Sequence, residues 1–439
     1  MKRTGLFIVL LFLCICQAIN AQQNKLWTLQ ECIEHALDQN IQIRKNLLTN
    51  DRSRINAGQA KAQRFPSASA SINQNFNWSQ SSGTGSSGLT GSNGSNYSVN
   101  SGITLYNGSR INNSIKQAEL NIESGNLSLE TIKESITLNI LNAFVQVLYA
   151  EEQAKNSMKQ IESTTQQLNL AKERLALQII SQSDYSQVKS QLATEKLTLA
   201  NSESQLALAK VNLMQLMDLP VEANFNISHP DLGDNLNQNR VTDVKSLFET
   251  SLLIKPQIKY AAVNKTIASY DEKIARAGYF PSLSASAGVS SAFTGQSTDL
   301  YFTQISNQIR PALGFTLSIP VYQKKQVKTS IALAKIGYDD ARLSETDTKN
   351  QLRKNIEQAC QDVTSAQTEY EASLEKYKAT LEALSLSEEK FKQGFINSVD
   401  YMVSKTNLIV AESNLLQSKF KLIFSYKVLD FYSGIPLSF

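Results

Sequence analysis

Residues that build chemical sites are scarce in this sequence of 439 residues. It has 2 histidines and 4 cysteines. His35 lies on one face of an amphipathic pattern, and His229 stands beside Pro230 in a polar stretch. The two sit in different contexts, and neither has a Cys, His or carboxylate at ligand spacing within the other copy, so no metal or cofactor is expected. The glycines between Gly83 and Gly94 are not followed by Lys-Ser or Lys-Thr, so they do not form a phosphate-binding loop. No nucleophile motif occurs, and no enzymatic activity is expected. Lysine and arginine total 43 against 39 acidic residues, without a basic block, so nothing points to nucleic acid. Apart from the first residues, no apolar run approaches the ~20 residues of a membrane helix. If the mature chain enters a membrane, it must do so with strands. Only 8 prolines are present, which leaves room for long uninterrupted helices.

The N-terminus reads as a secretory leader, residues 1–21. Lys2 and Arg3 precede an apolar run from Leu6 to Cys16, and Ala21 offers a small residue for cleavage. Ile19 is larger than usual at its position. Cys14 and Cys16 leave with the leader, and neither follows a small residue as a lipidation site would. Of the remaining pair, Cys32 and Cys360, both lie in helical patterns, and free thiols are expected rather than a disulfide.

What is present is a duplication. Ala60 to Ser71 reads AKAQRFPSASAS, and Ala275 to Ser286 reads ARAGYFPSLSAS. Asp184-Tyr185 returns as Asp400-Tyr401, and Leu219-Pro220 as Ile435-Pro436. A period this long marks a duplicated domain. The first copy spans residues 22–220, a polar segment follows at 221–241, and the second copy spans 242–439.

Each copy predicts a helix, a β-hairpin, a very long helix, a turn and a returning helix. Thr28 with Glu31 fits a capping box, and the first helix should run to about Gln63. Pro66 and Pro281 end the first helix of each copy. The period then becomes two. Ala68, Ala70, Ile72, Phe76 and Trp78 alternate with serines and asparagines, up to a Gly/Ser/Asn loop from about Ser79 to Asn96. Tyr97, Val99, Ile103 and Leu105 form the downward strand. In the second copy Leu283 to Val289 ascend, Leu313 to Val321 descend, and Thr294, Gly295 and Gln296 lie between. Such strands suit a barrel wall, with Phe76, Trp78, Phe293 and Phe315 toward lipid and small polar residues toward water. A soluble four-stranded sheet is the alternative.

From about Arg110 to Gln178 apolar or small residues recur every three or four positions, a coiled-coil seam on the order of 100 Å long. Val327 to Phe391 repeats it. Short turns follow at Ile179–Ser183 and Gly394–Ser398. Ser183 and Ser398 are candidate caps, and Asp184 and Asp400 lie in the first turn of helices that return to about Met217 and Tyr432. Four strands cannot close a barrel, because about eight are the minimum. The chain must therefore pool strands with copies of itself. A duct, an adhesive coiled-coil stalk with a small β anchor, and a soluble helical scaffold compete at this point; the two hairpins and two helical arms per chain favour the duct.

The chain resembles the TolC-like outer-membrane efflux family along its whole mature length. The resemblance rests on WTLQECIEHALDQNIQIRK (Trp27 to Lys45), RFPSASAS and YFPSLSAS entering the hairpins, SIPVY (Ser318 to Tyr322), and KFKQGFINSVDYMVSKTNLIVAESNL (Lys390 to Leu415). It implies a mainly α protein with a membrane β-barrel. Long coiled-coil helices would form an α-barrel reaching into the periplasm, and four strands per chain would join a twelve-stranded trimeric barrel in the bacterial outer membrane. It also implies a periplasmic adaptor and an inner-membrane pump or ATP-driven exporter as partners. Asp400 and Asp184 would sit at the periplasmic aperture. Gly394, Gln178, Ser181 and Asn397 would meet the adaptor. Where the family often has a second acid, this sequence has Val403.

Overall fold

The computed structural model describes residues 26–81, 88–221, 225–230 and 243–437. The expected leader, the tip of the first hairpin and most of the segment between the copies lie outside these residues. The chain divides into two compact units. One holds residues up to Lys45, Leu129–Pro256 and Lys349 onward; the other holds Asn46–Ser128 and Gln257–Thr348. Each unit contains parts of both copies, so compactness cuts across the duplication.

In chain order the elements are β1 (Leu26–Trp27), α1 (Leu29–Gln39), α2 (Ile41–Ala62), β2 (Ser67–Ser81), β3 (Gly88–Asn107), α3 (Arg110–Ala176), α4 (Gln182–Leu216) and β4 (Asn226–Ile227). The second copy supplies α5 (Val244–Ile254), α6 (Pro256–Arg276), β5 (Ser282–Thr294), α7 (Tyr301–Asn307), β6 (Arg310–Ser318), α8 (Gln326–Lys392) and α9 (Ser398–Ser433). α3 and α8 are each 67 residues long, as the uninterrupted seams predict.

The expected capping box forms: Glu31 N–H donates to Thr28 Oγ1 at 3.2 Å, and Thr28 N–H donates to Glu31 Oε2 at 2.9 Å. The single first helix expected to Gln63 is instead two. Asn40 is extended (ψ 129°) and separates α1 from α2. Its amide Nδ2 donates to the Leu216 carbonyl at 3.1 Å, its Oδ1 accepts from Gln42 N–H at 2.8 Å, and Asp218 accepts from Ile41 N–H at 2.7 Å. One buried side chain thus serves the end of α4 and the start of α2 together. Its counterpart in the second copy is Lys255, before Pro256, and only 2% exposed. Lys255 Nζ donates to the Phe431 carbonyl at 3.0 Å and to Glu134 at 3.1 Å, and lies 3.3 Å from the centre of the Phe431 ring. Burial pushes the Lys255 ammonium below the usual lysine range, against the pull of Glu134.

The first unit has one main core. Ile140, Leu141, Phe144, Val147 and Leu148 of α3 pack with Cys32 and Ala36 of α1, Leu213 of α4 and Met217 at its end, Ile227 of β4 and Phe420 of α9. Cys32 is buried there, and neither it nor Cys360 is in a disulfide among the described residues.

The second unit carries an antiparallel sheet in the order β2-β3-β5-β6. The Gly/Ser/Asn stretch expected to be loop from Ser79 to Asn96 is largely strand, because pairing continues up to Ser81↔Gly88. Ile319 and Val321, expected in the descending strand, lie beyond β6, and the short helix α7 was not anticipated between β5 and β6.

Residues paired across antiparallel strands share a face. Phe76 pairs with Asn93, Ser95 with Phe293, and Ala285 with Phe315. Following the register, Ile72, Phe76, Trp78, Tyr97, Val99, Val289, Phe293, Leu313 and Phe315 all lie on one face. The other face carries Ser69, Ser71, Asn73, Asn75, Asn77, Ser98, Asn100, Ser286, Gly288, Ser290, Gly314 and Thr316. Ser71 and Ser98 hydroxyls meet across it at 2.8 Å. The outer edges of β2 and β6 have no partner strand among the described residues.

Candidate functional site at the helical turns

Both long helices end the same way. Gln178 and Gly394 adopt the left-handed conformation, with φ 58° and 78°. Ile179 N–H then reaches the Arg174 carbonyl and Phe395 N–H the Lys390 carbonyl, each at 2.9 Å. Only glycine adopts this conformation freely, so the first turn carries strain that the second avoids. A Cβ on Gly394 would meet nothing within 4 Å, so the chain's own packing does not demand a small residue there.

The caps are not the expected Ser183 and Ser398. They lie two residues and one residue earlier, at Ser181 and Asn397. The reason is the acid three residues on. Asp184 N–H donates to Ser181 Oγ at 3.1 Å, and Ser181 Oγ and N–H donate to Asp184 Oδ2 at 2.6 and 3.2 Å, a full capping box. In the second arm Asp400 N–H donates to Asn397 Oδ1 at 2.8 Å. Asparagine accepts this bond, but Asn397 makes no return bond to the Asp400 carboxylate.

The two acids therefore differ. Asp184 Oδ1 also accepts from the Ser398 hydroxyl, which joins the start of α4 to the start of α9. Bonds from Ser181, then Ser398, hold the Asp184 carboxyl below the usual range. The Asp400 side chain is exposed, and its carboxylate has no partner among the described residues.

Between the turns lies a groove of about 650 Å³, lined by Ala171, Ile180, Val188, Phe391, Ile396 and Met402 among others, with Gly394 and Asn397 at its rim. Tyr401 stacks on Phe391 with ring centres 5.0 Å apart and planes 11° apart, and its hydroxyl accepts from Gln167 Nε2 at 2.7 Å. Burial raises the Tyr401 phenol above its usual range.

One feature went unread in the sequence. Lys405 of α9 is 6% exposed, with its Nζ 3.6 Å from Oε1 of Glu195 in α4, itself 4% exposed. The same Nζ also donates to Thr164 of α3. Glu195 Oε1 accepts from Gln191 Nε2 at 3.0 Å, while Oε2 finds no partner among the described residues. The signal was available: Lys405 continues the face of Tyr401 and Met402 on α9. Among the described residues, no group of three His, Cys, Asp or Glu could hold a metal, and no helix is long and apolar enough to cross a membrane. His229 Nε2 lies 3.0 Å from Glu151, and His35 packs edge-on against Trp27.

Comparison with known proteins agrees with this architecture. The chain is similar to the outer membrane protein TolC of Salmonella enteritidis, 19% identical over 299 residues, 67% of this chain and 60% of that protein. An uncharacterized protein of Haemophilus influenzae is 21% identical over 253 residues, 56% of this chain and 52% of that one. The chain thus spans less than two thirds of either curated relative. The fold is that of a membrane protein from Pseudomonas aeruginosa (TM-score 0.79, 16% identity, 93% of this chain and 90% of that one). It is also that of the outer-membrane channel OprN (0.78, 17%, 93% and 90%) and of VceC from Vibrio cholerae (0.76, 16%, 93% and 96%). The outer membrane efflux protein family matches residues 32–218 and 247–432, one segment per copy, and the chain belongs to that family.

Proposed function

We propose that this protein is the exit duct of a tripartite efflux or type I secretion system. It passes solutes passively from an inner-membrane pump and periplasmic adaptor to the exterior. The observation that carries the reading is the sheet: one face holds the large apolar side chains, with Gln74, Asn93 and Ser95 toward its upper end, the other is mostly serine, asparagine, threonine and glycine, and among the described residues both edges are open. An edge cannot be left unpaired in lipid. Copies of the chain close it, and cyclic closure by three gives a water-lined wall with Phe76, Trp78, Phe293 and Phe315 toward lipid.

The helical turns form the periplasmic end. Asp400, repeated by symmetry, makes a carboxylate ring that favours cations and is blocked by bridging divalent ions. Asp184 stands behind it, committed to the cap. Gly394, Gln178, Ser181 and Asn397 form the surface that meets the adaptor. The open space around Gly394 supports a close backbone approach there.

Reconstitution of the detergent-extracted protein in planar bilayers tests the duct. Stepwise conductances from a species of trimer mass are expected. A correctly inserted assembly that never conducts would overturn the reading.

A further inference from the structure

The helix α7 and its N-cap bury a polar side chain and leave two large apolar ones outward. Its one buried side chain is polar: Gln304, 2% exposed, donates from Nε2 to the Asp299 carbonyl at 2.8 Å and accepts from Thr294 N–H at 3.0 Å. Tyr301 packs on the sheet and Ile305 is half-buried, but Phe302 (81% exposed) and Leu300 at the N-cap (80%) face away. A surface helix in water shows the opposite arrangement.

The helix is tied to one particular face of the sheet. Ser291 Oγ donates to the Ile305 carbonyl at 2.7 Å, the Tyr301 ring lies 4.8 Å from Phe293, and the hydroxyls of Tyr301 and Tyr97 meet. By register Ser291, Phe293 and Tyr97 all belong to the face of Phe76, Trp78 and Phe315. α7 is therefore folded onto the apolar face and not over the polar one. It also sits over β3 and β5, the inner strands, away from the β2 and β6 edges where neighbouring copies must pair.

Its height on the strand is telling. Leu283 to Phe293 spans about 34 Å of strand at ~3.4 Å per residue, or about 25 Å of height at the usual tilt, which matches the apolar band of an outer-membrane barrel. Large apolar side chains occupy most of that interval, with Ser101 and Ser291 among them, and Phe293 with α7 stands at its upper border, where aromatic side chains gather in membrane barrels.

We propose that α7 is an interfacial helix whose outward residues, Leu300 and Phe302, sit in outer-leaflet lipid at the boundary of hydrocarbon and headgroups. This rests on the reading of the Phe76 and Phe315 face as the lipid face. The occupant is lipid because the patch continues that face and because it lies away from the pairing edges.

The test uses the full assembled protein in vesicles, with Trp27→Phe and Trp78→Phe as background and single tryptophans introduced by Phe302→Trp, Leu300→Trp or Phe315→Trp. Phe302→Trp should lose emission to a nitroxide carried at lipid headgroup level, resist aqueous acrylamide, and emit at shorter wavelength than tryptophan in water. Leu300→Trp provides the same readout should Phe302→Trp fail to assemble. Quenching by acrylamide alone would put α7 in water and overturn the proposal. Protection from both quenchers would mean protein covers the patch, a second copy included, and would overturn it equally. Phe315→Trp separates the two readings. If brominated acyl chains quench it while the α7 positions see only water, the lipid face stands and the interfacial helix falls. If they do not, the lipid face itself falls.

Discussion

The two helical arms occupy equivalent positions in the duplication and have diverged in what their polar residues do. In the first arm Asp184 is bound to Ser181 and Ser398, Lys189 is exposed, and Gln178 holds a left-handed turn against its own Cβ. In the second arm Asp400 is free, Lys405 is buried against Glu195, and Gly394 makes the turn without strain. The first arm spends its acid on structure and leaves its lysine in water; the second does the reverse. Duplication thus let one copy keep a full capping box while the other kept an exposed carboxylate at the equivalent position.

The sharpest break of this comparison is at the acids. Asp400→Ala is expected to abolish divalent-cation block of the conductance, whereas Asp184→Ala should leave the block in place. The reverse pattern in planar-bilayer recordings would exchange the two roles. Next comes the lysine pair. Lys405→Ala leaves Glu195 buried without a counter-charge, at a cost of about 3–5 kcal/mol, while Lys189→Ala should stay within about 0.5 kcal/mol. Thermal unfolding followed by circular dichroism in detergent compares them, and the double variant Lys405→Met with Glu195→Leu should recover much of the loss.

A smaller effect attaches to the cap. Ser181→Ala should cost about 1 kcal/mol. Because the folded Asp184 carboxyl lies below its usual range, its contribution is complete above that range and is lost as pH falls through the folded value. The melting difference between the parent protein and Asp184→Asn should therefore hold from neutral pH to mild acid and shrink only below the ordinary aspartate range. The smallest change is at the turns: Gln178→Gly should stabilise, and Gly394→Ala destabilise, each by about 1 kcal/mol. Equal and opposite shifts would show that the strain is local to the left-handed residue.

Much of this fold could be read from the chain because its two periods are clean. The three-four spacing of α3 and α8 and the alternation in the hairpins need no tertiary information. The break at Asn40 was invisible because no proline or glycine marks it; it exists because Asn40 binds the Leu216 carbonyl, a partner 176 residues away. The strand from Gly88 to Asn96 was hidden by its composition. Glycine, serine and asparagine disfavour strands in isolation, and pairing with β2, joined from Gly94 onward by β5, holds them extended. At the candidate site the duplication showed where the acids stand. The spacing of Ser181 and Asp184 offered the capping box, but it could not show the second bond to Asp184, because the Ser398 hydroxyl comes from the other arm.

The open edges of β2 and β6 carry a last consequence, for biogenesis. β2 is 15 residues long, flat in pattern and without a single charged side chain. An unpaired edge of that kind recruits any strand it meets. On the proposed duct, a lone subunit is an unfinished object whose sheet becomes safe only when the ring is complete. Its persistence in transit should then depend on dilution or on a chaperone that masks the edge, and folding and oligomerisation become a single event.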